Sequence, residues 1–141
     1  MKFLLTALAS VFLLVCAPNK ALSKDKFDEV IWGIGEPISV QVICKDEETI
    51  IDIVNADMKG ESLVVFMINQ KIMAQDCIGF PTPILFYVMG ALLHYRDHLD
   101  RQSVVIRLGN KNGNQLGWAL APGKFDQDRK QNQQKIKLIP I

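Results

Sequence analysis

The chain has 141 residues, 16 basic and 15 acidic side chains, and a net charge of +1. That length suits one domain and is short for two. So even a balance of charge leaves no electrostatic footprint for DNA, RNA or an anionic membrane.

Residues 1–23 read as a signal peptide. Lys2 supplies the positive start, and Phe3 to Val15 is an apolar run of secretory length, too short to span a bilayer stably. Asn19 and Lys20 break the run, and Ala21-Leu22-Ser23 offers the small residues a signal peptidase needs before Lys24. Cleavage after Ala17 is disfavoured because Pro18 follows it. The rival reading is a buried N-terminal helix. Lipidation at Cys16 is a further alternative, but Val15 stands where lipoprotein signals carry a small residue, so Cys16 leaves with the leader. The leader holds two of the 16 basic residues and none of the 15 acidic ones, so the remainder has a net charge of −1. The longest apolar stretch left, Ile84 to Leu93, cannot cross a membrane. A secreted or periplasmic protein follows, with Cys44 and Cys77 as an even pair in an oxidising compartment.

Residues 24–36 form an N-terminal extension. Lys24 to Glu29 is charged and expected to fray, while Trp32 and Ile34 pack at a sheet edge. Gly33-Ile34-Gly35 lacks the third glycine and the strand–helix setting of a phosphate loop. Residues 37–121 form the single domain. Ile38 to Cys44 alternates, with Ile38, Val40, Val42 and Cys44 on one side and Ser39, Gln41 and Ile43 on the other, which predicts a strand. Asp46 caps a helix whose first turn carries Glu47 and Glu48, where the dipole favours negative charge. Ile50, Ile51, Ile53, Val54 and Met58 mark its apolar stripe, and Gly60 ends it as a left-handed C-cap. Ser62 caps a second helix from Leu63 to about Met73. Strand composition fits this segment too, but Asn69, Gln70, Lys71 and Gln75 continue the polar side of a helix.

Asp76 to Pro83 is read as a turn region, since Pro81 and Pro83 bar any helix through it. Ile84 to about Tyr95 is apolar on both faces and predicts a central, doubly covered strand with a bulge or bend at Gly90. A polar connection leads to strands Ser103–Gly109 and Gln115–Leu120, joined through Lys111-Asn112-Gly113. A three-residue loop with Gly113 left-handed pairs Leu108 with Leu116, Ile106 with Trp118 and Val104 with Leu120, which stacks the apolar residues on one face. A two-residue Asn112-Gly113 turn would instead set Arg107 opposite Trp118. Residues 122–141 are mostly polar and predict a flexible C-terminal tail, with an apolar end whose docking as an edge strand is left open.

The predicted fold is α+β. It has a four-stranded, mostly antiparallel sheet ordered as strand, helical crossover and three-strand meander, with one or two helices on one face. A Cys44–Cys77 disulfide closes the crossover, worth roughly 3–4 kcal/mol in the chain-entropy model. Neither cysteine lies in a thiol-protease or redox signature.

His94-Tyr95-Arg96-Asp97-His98 is the sharpest cluster of chemical groups. On a helix His94 and His98 would share a face and, with Asp97, suit zinc or copper; on a strand they stand about 13 Å apart. Asp97, Asp100 and His98 also contain an acid/base pair for a hydrolase, but no serine nucleophile elbow, P-loop, calcium loop or paired-carboxylate helix is present. Arg107, Trp118 and Trp32 are candidates for an interaction surface, set against the plainer reading of a solvated arginine and core tryptophans. The function expected is non-catalytic: binding an unidentified protein or envelope component, or a structural role at the cell envelope, without a cofactor. A metal-binding protein using His94 and His98 is the alternative.

Overall fold

Local signals set most elements, and bulges in the sheet decide which way their side chains face. The computed structural model describes residues 24–129, so the predicted leader with Cys16 and the tail from residue 130 onward lie outside the described residues. In chain order the elements are α1 (Lys24–Glu29), β1 (Ile31–Trp32), β2 (Pro37–Cys44), α2 (Glu47–Lys59), α3 (Glu61–Met73), β3 (Cys77–Arg96), β4 (Gln102–Gly109), β5 (Gln115–Pro122) and β6 (Lys124–Phe125). Strands β2 to β5 form an antiparallel sheet in sequence order, which coils until β5 meets β2 and closes a small barrel. The fold is α+β, as the sequence predicts.

The Asp46 cap is present, its Oδ1 accepting the Thr49 amide at 2.8 Å. The buried stripe of α2 is Ile50, Ile53, Val54 and Ala56, whereas Ile51 and Met58 are exposed. Gly60 ends the helix in extended backbone (φ 167°), not left-handed as expected. It serves as C-cap of α2 and N-cap of α3 at once, so Ser62 falls inside the second helix. Lys71 and Asp52 join the two helices at 2.8 Å. Together they make a helical hairpin between two adjacent antiparallel strands. Its ends are tied by the Cys44–Cys77 disulfide, whose cysteines face each other in the β2–β3 register with Cα atoms 4.0 Å apart.

From Cys77 onward the predicted turn at 76–83 is strand. Between Val40 and Val42 the β2–β3 register jumps, and residues 80–83 stand opposite Gln41. Pro81 and Pro83, which have no amide to donate, therefore lie where the ladder is interrupted. The buried Gln41 side chain bridges the gap, its Nε2 donating to the carbonyls of Phe80 (3.2 Å) and Pro81 (3.1 Å). The same bulge inverts the alternation of β2. Ile38, Val40 and Ile43 enter the barrel core, while Cys44 and Val42 face the helices. Around Gly90 the β3–β4 register slips as predicted, and Arg107 Nη2 donates to the Met89 carbonyl at 3.2 Å.

The hairpin after β4 has the predicted loop but not the predicted register. Asn110 and Asn114 pair across it, and Gly113 is left-handed (φ 82°). A bulge at Leu116 then shifts the pairing by one, so Arg107 opposes Trp118 and Ile106 opposes Ala119. The reason lies at the barrel's closure. Cys44 pairs with Trp118, and a Cβ on Gly117 would come within 2.5 Å of the Cys44 carbonyl oxygen, so only glycine admits β2 there.

Two apolar clusters share β4. Val104, Ile106 and Leu108 fill the barrel with Ile38, Val40, Phe86 and Val88; Val105 packs outward with Trp118, Tyr95 and α2 and α3. The doubly covered strand is thus β4. Of the stretch from Ile84 to Tyr95, expected to be central and doubly covered, Phe86 and Val88 are buried but Ile84 and Leu85 are exposed.

The described parts of the predicted extension and tail are joined to this body. Helix α1 is ordered around Phe27, which is buried beneath the Arg101 guanidinium, 4.3 Å from the ring centroid. Strands β1 and β6 pair in parallel, and Trp32 Nε1 donates to the Pro122 carbonyl at 2.7 Å.

Candidate functional site

The barrel is closed by a single registered pair, Cys44 with Trp118. Away from that pair β2 and β5 diverge, and the gap between them opens into a cavity of about 440 Å³. Ile38, Val40 and Val42 line it from β2, and Ala119 to Pro122 from β5. Ile50 and Ile53 come from α2, Val64 and Ile68 from α3, with Phe27 and Trp32 contributed by the N-terminal segment. Such a volume and apolar lining are those of a small-molecule site.

One part of the lining is polar. Asp57, Tyr95, Asp97, His98, Arg101 and Ser103 converge where α2 meets the loop between β3 and β4. Asp57 lies one turn beyond Ile53 and Val54, so the helical repeat that buries those residues also turns its carboxylate inward. Tyr95 OH donates to Asp57 Oδ2 at 2.6 Å. Burial raises the Asp57 carboxyl above its usual range, only partly offset by that bond, and burial likewise pushes the Tyr95 phenol well up. Asp97 is fully engaged: Oδ1 accepts the amides of Leu99 and Arg101, and Oδ2 accepts Arg101 Nε at 2.8 Å and Nη2 at 2.7 Å.

The residues singled out from sequence fall in different places. Cys44 and Cys77 are bonded. His94 Nε2 accepts the Phe125 amide at 3.0 Å on the β6 side, whereas His98 Nδ1 lies 3.0 Å from the Asp57 carbonyl on the α2 side. Asp97 is held by Arg101, so the three metal candidates do not converge. Among the described residues no group of three or more His, Cys, Asp or Glu is placed to hold a metal ion. Arg107, Trp118 and Trp32 do not make one surface either. Trp118 is only 7% exposed and belongs to the helix-side core, and Val105, two residues before Arg107 on β4, is buried in that same core.

Sequence reasoning missed Asp57, although its signal is legible. At positions 50, 53, 54 and 57 it is a lone carboxylate continuing an apolar helical stripe. Tyr95 and Arg101 had no such mark, because the loop that folds them onto α2 is set by tertiary packing. No family model, curated protein or solved structure matches the chain. Among the described residues, no helix is long and apolar enough to cross a membrane.

Proposed function

We propose that the protein is an exported, non-catalytic binding domain that receives an apolar ligand in the cavity between β2 and β5. The observation that carries this reading is the cavity itself. A domain of this size that only had to fold would gain by packing such a space with side chains, since interior voids are costly. Here the gap is kept open by strand divergence and floored by two helices. Export is supported by the apolar N-terminal run and by a disulfide that an oxidising compartment preserves. On this reading the ligand or partner belongs to the envelope or the extracellular medium.

A neutral apolar fluorophore, N-phenylnaphthylamine, titrated into the oxidised protein tests the proposal. Saturable binding at one site is expected. Val42→Phe and Leu120→Phe, which fill the cavity from opposite walls, should each weaken it at least tenfold while the circular dichroism spectrum stays unchanged. Binding that ignores both substitutions would remove the cavity from consideration. For export, the protein recovered outside the cytoplasm should begin at Lys24.

A further inference from the structure

We infer that the cavity selects an apolar molecule carrying one cationic ammonium group, seated at the carboxylate of Asp57. This rests on the reading of the cavity as a ligand site and adds the chemical class of the ligand. Asp57 Oδ2 is occupied by the Tyr95 hydroxyl, but Oδ1 has no hydrogen bond among the described residues. The His98 ring stands beside it, with Nδ1 3.8 Å from Oδ1 and already within hydrogen-bond distance of the Asp57 carbonyl. The carboxylate therefore keeps one acceptor oxygen for a guest, on a side chain only 15% exposed.

The basic group in the lining points to the same sign of charge. Arg101 gives Nε and Nη2 to Asp97 and lays its guanidinium face on Phe27, so it has little left for an anion. A carboxylate or phosphate head would meet Asp57 with no uncommitted lysine or arginine among the described lining residues to offset it. A hydroxyl could donate to Oδ1, but hydrogen bonds between neutral and charged groups gain less than those between two ions. An ammonium group does both, supplying a donor to Oδ1 and relieving a carboxylate held in surroundings short of water. The apolar body then lies along Ile53, Val64, Val42 and Leu120.

Displacement of N-phenylnaphthylamine by octylammonium, octanol and octanoate at neutral pH tests this. Octylammonium should bind about tenfold or more tighter than octanol, a difference of about 1.4 kcal/mol. Octanoate should be weakest. Asp57→Asn keeps an acceptor for Tyr95 OH and should erase the preference for octylammonium over octanol. Equal affinity for octanol and octylammonium, or a preference that survives Asp57→Asn, overturns the head-group assignment and leaves the apolar site standing. Failure of all three to displace the fluorophore overturns the site as well. The ranking on the unsubstituted protein decides the matter even if the variant does not fold.

Discussion

The two sides of the barrel are built differently. From β3 through β4 to β5 the strands are paired along most of their length, and Val104, Val105, Ile106 and Leu108 are all fully buried. From β5 to β2 there is one registered pair, a glycine at the crossing and an open space beyond. Continuous pairing on one side makes a wall, and a seam held at one point makes a mouth. The disulfide stands at that point, since Cys44 is both the partner of Cys77 and the residue that meets Trp118.

The largest expected effect comes from removing that bond. The double substitution Cys44→Ala with Cys77→Ala should cost roughly 3–4 kcal/mol from loop entropy alone, read from urea unfolding monitored at Trp118. An unchanged midpoint would mean that the seam does not depend on the bond. Next, Ile106→Ala on the paired side should cost about 3 kcal/mol, against under about 1 kcal/mol for Val42→Ala in the cavity lining, because only the first leaves a new void. Equal costs would erase the distinction between the two sides. Gly117→Ala should cost about 1–3 kcal/mol by forcing a Cβ against the Cys44 carbonyl, and should also shift the amide resonances of β2 more than those of β3.

The smallest effect concerns pH. Burial raises the Asp57 carboxyl from its ordinary 3.8, with Asp97 also raising it and Tyr95, His98 and Arg101 opposing. The folded protein therefore holds this proton more tightly than the unfolded chain does. The stability it contributes is complete below the unfolded value of 3.8 and is lost as pH rises through the higher folded value. Relative to Asp57→Asn, the unsubstituted protein should lose stability as pH rises across that window, measured by paired urea melts. A difference that stays flat or grows with pH would contradict the burial of Asp57.

Much of the fold was legible because its signals are local. Asp46 followed by two glutamates announces a helix start, and a polar face at Asn69, Gln70 and Lys71 separates helix from strand in α3. Two cysteines bracketing a helical pair indicate the disulfide. The candidate site was less legible. His94 and His98 are four residues apart on a strand end and its loop, so they diverge, and each meets a different partner. Asp57 showed itself only as an exception within an apolar stripe. Arg101 reads in sequence as one more residue of a polar connection, and only the packing of Phe27, from a segment expected to fray, beneath its guanidinium sets it apart.

Composition and periodicity by themselves pointed to an α+β fold of four antiparallel strands, with one or two helices tied between two cysteines. Those features follow from capping, repeat and loop closure within neighbouring stretches of chain. Tertiary structure alone decided the faces and the hollow. Bulges at Gln41 and Leu116 each turn a strand's side chains over, and a bulge forms where closing the barrel demands it, not where any short stretch of residues requests it.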